Sequence, residues 1–185
     1  MDFNLSAYWE RRYAVGKTSG EGSYGAEAQF KARFINDFIK SYGIKKVVEI
    51  GCGDGNNLKL YEGFDHYCGY DISPTAVMMC RMIHPRYYFT TDISKVAKRP
   101  DLCLCLDVLF HQVEDRDYHA LMDFMFKDLQ ARHIIIYSTS HDDNEGMAAH
   151  MRNRDFLKDI PPGYELIEKS DGYDYRKIFA VFSAK

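Results

Sequence analysis

The sequence has no long apolar run and no excess of basic residues. No stretch approaches the roughly 20 consecutive apolar residues that a membrane-spanning helix requires. The opening residues, MDFNLSAYWERRY, carry charges where an export signal needs its apolar stretch. A formal net charge of −3 provides no global positive field that would attract nucleic-acid phosphates. We therefore expect a cytoplasmic protein that is not embedded in a membrane, and the charge argues against a nucleic-acid partner without excluding one.

Cysteine is scarce and follows neither a disulfide pattern nor a metal-binding one. The five cysteines are odd in number, and none of them is in C-x-x-C spacing. Three of them lie inside apolar, strand-like stretches, so we expect buried, reduced thiols and no metal site. The cysteines are Cys52, Cys68, Cys80, Cys103 and Cys105.

The length and apolar content fit one compact domain. With 185 residues, 46% of them hydrophobic, the chain can bury a sizeable core without disulfides or metal. We expect a single domain over 1–185, made of an N-terminal lid segment at 1–25 and a core at 26–185.

The core alternates helical and strand-like patterns. Apolar residues recur at helical spacing over 26–42, and later apolar runs resemble strands that are covered on both faces of a parallel sheet. Two final runs joined by a Ser-Asp-Gly turn predict an antiparallel pair. The fold class is therefore α/β, with a Rossmann-like, mostly parallel seven-stranded sheet and an antiparallel C-terminal strand. We predict helices near 26–42, 74–83, 116–130 and 146–159, a helix start at NNLKLYE, and strands near 45–51, 66–71, 87–91, 101–107 and 133–138.

A glycine-rich turn follows the first predicted strand. It reads G-x-G-x-G from Gly51 to Gly55, with Glu49 two residues before it. Alternating glycines let a ligand approach the backbone and present amides to it. The dinucleotide fingerprint is G-x-G-x-x-G, whose spacing serves a pyrophosphate. The different spacing favours a nucleotide-type ligand without phosphates, although such a turn also occurs as an ordinary tight turn.

Acidic residues close three further predicted strands. Asp71 ends the second strand, 22 residues after Glu49, where a carboxylate accepts hydrogen bonds from ribose hydroxyls. Asp92 and Asp107 close the third and fourth strands. Because ligands of open α/β sheets bind at the carboxyl ends of the strands, we expect these residues to converge on one crevice.

The segments EIGCGDG, GYDISP and TTDIS resemble the successive cofactor motifs of class I S-adenosylmethionine (SAM) methyltransferases. The resemblance covers the whole series of predicted strands and helices. It implies the fold of class I methyltransferases, with SAM as cofactor. It implies that the three glycines line the methionine part, that Asp71 binds the ribose and Asp92 the adenine edge, and that Glu49 orients the turn. The full set of cofactor-binding residues is then Glu49, Gly51, Cys52, Gly53, Gly55, Asn56, Asp71, Ile72, Asp92, Ile93 and Asp107.

A closer resemblance is to small bacterial and viral methyltransferases that open with a YWE-x-RY element and a Gly/Ser-rich loop. The matching segments here are YWERRY at 8–13, SGEGSYG at 19–25, LDVLFHQVED at 106–115 and HMRNRDF at 150–156. The resemblance implies O-methylation of a sugar or another small polar acceptor, in glycan modification. The sequence departs from the pattern at Phe110, where tyrosine is expected, and at Asn153, where histidine is expected.

Aromatic and cationic residues surround the glycine-rich loop near the N-terminus. This composition suits a lid that closes over cofactor and acceptor, with Trp9 and Tyr13 stacking on a ring. The alternative is that the aromatic residues only pack on the first core helix. We assign substrate binding to Tyr8, Trp9, Arg12, Tyr13, Tyr24, His111, His150, Arg152 and Arg154.

The candidate catalytic residues are Asp107, His111 and His150. His111 follows Asp107 by four residues, just past the fourth predicted strand, and is our first choice for a general base. His150 lies in the last predicted helix and has substrate binding or a second base role. For either histidine, a hydrogen-bonded structural role is the alternative.

The sequence leaves four other interpretations open. Asp142, Asp143 and Glu145 form an acidic loop that, with Asp107, has the composition of a divalent-ion site. Methylation of nucleic-acid bases usually uses an Asn/Asp-Pro-Pro-aromatic segment after the fourth strand, and this chain has Asp-Val-Leu-Phe there. A catalytically silent cofactor-binding subunit and a dehydrogenase complete the alternatives.

Overall fold

The computed structural model describes residues 3–185. The chain forms two compact units, one of residues 6–97 and the other of residues 98–185 together with the described residues up to Leu5. Within residues 3–185, no helix combines the length and the apolar character needed to cross a membrane.

The 6–97 unit is a three-stranded parallel sheet with helices. The strands β1 (Lys46–Ile50), β2 (His66–Tyr70) and β3 (Tyr88–Thr90) lie in the order β3-β2-β1. The helices are α1 (Leu5–Ala14), α2 (Gly25–Tyr42) and α3 (Pro74–Ile83).

Local sequence explains where these elements form. β1 is a β-branched run whose last four residues are buried, as expected for a strand covered on both faces. α2 buries an apolar stripe that includes Ile35 and Ile39. α3 begins after Ser73, whose hydroxyl accepts a hydrogen bond from the amide of Ala76, and Pro74 occupies the first turn, where its missing amide costs nothing.

The 98–185 unit has four strands. β4 (Leu102–Leu106) and β5 (His133–Thr139) are parallel and entirely buried. β6 (Tyr164–Asp171) and β7 (Lys177–Ala184) form an antiparallel hairpin, and β7 pairs antiparallel with β5. The order is β4-β5-β7-β6, and α4 (Asp115–Asp123) continues into a π-helical turn at Phe124–Asp128.

Several expectations are confirmed. The fold is α/β with a mostly parallel seven-stranded sheet and antiparallel C-terminal strands. All five cysteines are buried, and no disulfide joins any of them.

The helix predicted at 146–159 is wrong. The structure has an extended loop there, and its only helical piece is a short 3-10 turn at Phe156–Asp159. The amides of Met147 and Met151 close isolated turns, and the two amides that follow Met151 bond to more distant groups. The amide of Arg152 donates to the Phe110 carbonyl at 2.7 Å, and that of Asn153 donates to Oδ1 of Asn144 at 2.6 Å. Asn153 is buried, and its side chain donates to the Asp143 carbonyl at 2.6 Å.

Two other helix predictions need correction. NNLKLYE starts no α-helix but a single 3-10 turn at Asn57–Leu60. The helix expected near 116–130 is regular only to Asp123, where the π-helical turn begins.

We expect Gly69→Ala to destabilise the protein by about 1–3 kcal/mol because the core at this position is already full. A Cβ atom on Gly69, in β2, would lie 2.7 Å from Cδ1 of Phe89 and 2.9 Å from Sγ of Cys52. Urea denaturation measures the change. Gly163→Ala is the control, since a Cβ atom there meets nothing within 4 Å. Equal stabilities of the two variants would contradict this account of the packing.

Candidate functional site

The glycine turn lies at the carboxyl end of β1. Gly51, Gly53 and Gly55 have φ values of 74°, 56° and 76°, in the left-handed region that favours glycine. The amides of Gly51 and Cys52 donate to the carbonyl of Tyr70 at 2.7 and 3.0 Å, which fixes the turn on the end of β2. The motif therefore forms a tight backbone turn anchored to the neighbouring strand.

Asp71 joins this turn to α3. One carboxylate oxygen accepts from the amide of Gly53 and the other from the amide of Ser73, both at 2.9 Å. The side chain is buried, and burial raises its pKa to about 6. Each carboxylate oxygen has two acceptor positions, so Asp71 retains capacity for ligand hydroxyls.

Glu49 and Cys52 face the interior of this unit. Glu49 is buried and accepts a hydrogen bond from the hydroxyl of Tyr67, while burial raises its pKa to about 7. Sγ of Cys52 lies against Gly69, and the neighbouring thiol of Cys80 donates to the Gly53 carbonyl at 3.1 Å. These side chains pack against the turn from the interior of the unit.

Asp92 follows β3 at the same edge of the three-stranded sheet. The amide of Asp71 donates to the Thr90 carbonyl at 3.3 Å, which places the two acids at adjacent strand ends. Asp92 is exposed, and its Oδ1 accepts from both the amide and the hydroxyl of Ser94. Ile72 and Ile93 follow the two acids and are half-buried. The structure thus brings together the glycine turn, Asp71 and Asp92 as expected.

The aromatic residues of α1 contact one another. The rings of Trp9 and Tyr13 stack with centroids 5.9 Å apart, and Tyr8 meets Trp9 edge-on at 5.4 Å. Arg12 lies over the Trp9 ring, and its Nε donates to the Thr18 carbonyl at 2.7 Å. Tyr13 is buried, whereas Tyr8 and Trp9 are half-buried.

Glu10 is a residue of this region that the sequence reasoning missed. Its Oε2 accepts from the Ser73 hydroxyl at 2.5 Å and the Thr75 amide at 3.1 Å, and its Oε1 accepts from the Thr75 hydroxyl at 2.6 Å. These hydrogen bonds hold the pKa of Glu10 below its usual value. A carboxylate at a helix N-terminus is favourable, so Glu10 anchors α1 to the start of α3. The Ser-Pro-Thr segment, which is typical of a helix start, was the signal in the sequence for a site that favours a carboxylate.

Asp107 and Lys177 form an ion pair in the 98–185 unit. Nζ of Lys177 lies 2.7 Å from Oδ1 of Asp107, and both side chains are 15% exposed. Asp107 has a φ of 60°, a left-handed conformation that costs energy for a residue other than glycine. Nζ also lies 5.5 Å from the Phe110 ring centroid and 5.3 Å from that of Tyr137. Lys177 was missed because it lies in the tail, where the pattern indicated only a hairpin.

His111 and His150 are in contact. Their rings stack with centroids 5.5 Å apart, and Nδ1 of His111 lies 3.0 Å from the backbone carbonyl oxygen of His150. A carbonyl only accepts, so Nδ1 carries the proton and Nε2 the lone pair. Burial lowers the pKa of His111 to about 4, which keeps the ring neutral at physiological pH. His111 and His150 therefore lie side by side, and the charge of Asp107 acts on the His111 ring.

Arg152 and Arg154 bind protein groups beside these two histidines. Both guanidinium groups bond to the Val113 carbonyl and to the carboxylate of Asp115. Arg154 also lies over the ring of Tyr118. These contacts hold the extended loop in place, which is the role that the geometry supports for both arginines.

The acidic loop after β5 is engaged with neighbouring groups. Asp142 pairs with Lys158 at 2.6 Å, and Asp143 accepts from the amide of Glu145 at 3.1 Å. Across residues 3–185, no three His, Cys, Asp or Glu side chains are grouped so as to hold a metal ion.

Comparison with known proteins identifies similar chains. A family model described as a methyltransferase domain matches residues 24–162. No curated protein sequence matches the chain closely enough to be counted as similar.

Several solved structures share the fold. Magnesium protoporphyrin IX methyltransferase from Synechocystis PCC 6803 with bound SAM has a TM-score of 0.71 and 16% identity, with 100% of this chain and 99% of that chain covered. The N-methyltransferase NodS from Bradyrhizobium japonicum WM9 in complex with S-adenosyl-L-homocysteine has a TM-score of 0.73 and 18% identity, with 98% and 99% covered. Mitomycin 7-O-methyltransferase has a TM-score of 0.65 and 13% identity, with 85% and 53% covered.

The burial of His111 predicts a pH dependence of stability. Because its folded-state pKa of about 4 lies below the ordinary value of 6.5, the neutral ring contributes stability that is fully present above about pH 6.5. That contribution is lost as the pH falls toward 4. Burial of Glu49 and Asp71 raises their pKa values and acts in the opposite direction over this range, so the test is the difference between two proteins. We expect the wild type to lose stability relative to His111→Gln as the pH falls from 6.5 to 4, as measured by urea denaturation at each pH. An NMR titration in which the His111 ring protonates near its ordinary pKa would contradict this prediction.

Proposed function

This chain belongs to the methyltransferase family whose domain model spans residues 24–162, and on that premise we propose that it methylates a hydroxyl of a small polar acceptor, with SAM as donor. The acceptor that we favour is a sugar, a sugar nucleotide or a glycan end. Membership of this family makes the chain a SAM-dependent methyltransferase. The methylation of a hydroxyl and the location in the cytoplasm are the parts that we propose.

The 6–97 unit has the residues that fit SAM. When bound, SAM supplies a methyl group on a sulfonium centre. Asp71 would accept hydrogen bonds from the ribose hydroxyls, because its two bonds to backbone amides orient both oxygens and leave acceptor capacity. The glycine turn would admit the methionine part, and Asp92 would bind the adenine edge. The G-x-G-x-G spacing suits a donor that carries no pyrophosphate.

The observation that carries O-methylation is the state of His111. A hydroxyl becomes a better nucleophile when a base removes its proton during attack, an effect worth about a hundredfold to ten-thousandfold in rate. His111 is neutral and protonated at Nδ1, so Nε2 is the atom that would take the proton. The His150 carbonyl would then stabilise the charged ring that forms. Lys177 lowers the pKa of His111 and Asp107 raises it, so the two opposite charges offset one another at the ring.

The charge arrangement near His111 supports an acceptor whose methylated end is uncharged. The cations of this unit beside His111 are already paired with protein groups, Lys177 with Asp107, and Arg152 and Arg154 with Asp115. A polyanion such as a nucleic acid would have to displace those partners. Tyr8 and Trp9 remain the proposed stacking surface for the acceptor. Methylation of nucleic acid or protein, and a silent SAM-binding subunit, are the alternatives.

We expect Asp71→Asn to weaken SAM binding at least about tenfold, because hydrogen bonds to a charged group are worth about 1.5–3 kcal/mol each. Isothermal titration calorimetry measures the affinity. Asp65→Asn is the matched control, since Asp65 is an exposed acid that pairs only loosely with Lys45 at 3.9 Å. Unchanged affinity in Asp71→Asn would remove Asp71 from the cofactor site.

Methyl-labelled SAM and a host extract test the acceptor class. The purified protein is incubated with both, and the label is located after separation into small-molecule, glycan, nucleic-acid and protein fractions. Label in the first two fractions supports the proposal. Label in nucleic acid or protein overturns the acceptor class, and SAM binding without any transfer supports the silent subunit.

We expect His111→Gln to slow transfer about a hundredfold to ten-thousandfold while SAM binding stays intact. The rate of label transfer and the calorimetric affinity are measured side by side. His119→Gln is the control because that histidine is exposed on α4. Full activity of His111→Gln would refute the base role.

A further inference from the structure

Asp54 lies between the second and third glycines of the turn and has no role in the proposed function so far. It is buried, and its carboxylate accepts three hydrogen bonds. Oδ2 accepts from the amide of Ser19 at 3.0 Å and from the hydroxyl of Tyr24 at 2.8 Å, and Oδ1 accepts from the amide of Asn56 at 3.1 Å. One carboxylate thus joins the glycine turn to residues 30 and 35 positions earlier in the chain.

The contact between Asp54 and Ser19 is reciprocal. The amide of Asp54 donates to the hydroxyl oxygen of Ser19 at 3.0 Å, while the amide of Ser19 donates to the carboxylate of Asp54. The Ser19 hydroxyl also lies 3.0 Å from the hydroxyl of Tyr13. We call Ser19, Tyr24 and Asp54, with the bonds that join them, the latch.

The latched segment rests directly on the backbone of the turn. A Cβ atom on Gly53 would lie 2.3 Å from Oγ and 3.1 Å from Cβ of Ser19, closer than such atoms approach one another. Beside it, the side chain of Asn56 donates to the Ser23 carbonyl at 2.7 Å. The glycine at position 53 is therefore required by the segment above it as well as by the backbone angle.

Residues 18–24 are held mainly by hydrogen bonds. The segment is polar and glycine-rich, and none of its residues is fully buried. Besides the latch, the Thr18 carbonyl accepts from Arg12 and the Ser23 carbonyl accepts from Asn56. Segments that are attached mainly by hydrogen bonds and bury little apolar surface open at low free-energy cost. The latch supplies three of the hydrogen bonds that such an opening would break.

We propose that Asp54 is a positioning residue that latches residues 18–24 over the glycine turn, so that exchange of SAM and of its product requires the latch to open. The proposal rests on the proposed function, because it takes the turn as the methionine site. It assigns to the Ser/Gly-rich loop a role in cofactor retention.

The rate of cofactor release tests the proposal. The protein is loaded with S-adenosyl-L-homocysteine and chased with excess SAM, and dissociation is followed by the fluorescence of Trp9, the single tryptophan of the chain. Trp9 stacks on Tyr13, whose hydroxyl contacts Ser19, so its emission reports on the segment. We expect Ser19→Ala to release the ligand about three- to thirtyfold faster, because it loses two hydrogen bonds.

Asp54→Asn is the second variant. Asparagine has one acceptor oxygen. It can accept either from Ser19 and Tyr24, as Oδ2 of Asp54 does, or from the amide of Asn56, as Oδ1 does, but not from all three. Thr18→Ala is the control, since the Thr18 side chain bonds only to the nearby amide of Gly20. Release from Ser19→Ala and Asp54→Asn at the rate of the control would overturn the proposal.

Hydrogen exchange in the absence of ligand tests the latch independently of the proposed function. In the wild-type protein the Ser19 amide is expected to be protected, and in Asp54→Asn that protection is expected to be lost. Equal exchange in both proteins would refute the latch even if SAM binds. Failure of the wild-type protein to bind SAM in calorimetry would refute the proposed function, whatever the exchange shows.

Discussion

The buried carboxylate of Asp71 is the constraint on which the arrangement of the 6–97 unit depends. Removing a carboxylate from water is costly, and the amides of Gly53 and Ser73 offset that cost. The same two bonds fix the glycine turn relative to the start of α3. Ser73 then donates its hydroxyl to Glu10, so the constraint continues into α1. One side chain thereby determines how the turn and two helices meet.

The N-terminal segment is attached at two places, in each case through a carboxylate that accepts hydrogen bonds. Glu10 bonds to the first turn of α3, where the positive end of the helix dipole favours a carboxylate. Residues 18–24 bond instead to Asp54 on the glycine turn. The first attachment holds a regular helix, while the second holds a polar loop. This difference explains why α1 is a fixed support whereas the loop is the part suited to opening.

In the 98–185 unit, hydrogen bonds set the state of the catalytic candidates. The loop that carries His150 forms isolated turns and no continuous helix, and Arg152 and Arg154 attach it to the Val113 carbonyl and to Asp115. The loop can then present the His150 carbonyl to His111 and fix the tautomer of its ring. A regular helix would have used that carbonyl within its own backbone ladder.

The sequence by itself determined the elements and the motifs, because their signals are local. The β-branched runs gave β1 and β5, the helical spacing gave α2, and the glycine turn and the acid at position 71 indicated the cofactor region. Only the tertiary structure decided that residues 146–155 form a loop instead of a helix. It also decided that Glu10, Asp54 and Lys177 bind groups far away in the chain. Their partners lie between 30 and 70 residues away in the chain, so no local periodicity records them. A hydrogen bond between distant residues depends on where the whole backbone brings two groups, and that information appears only when the chain has folded.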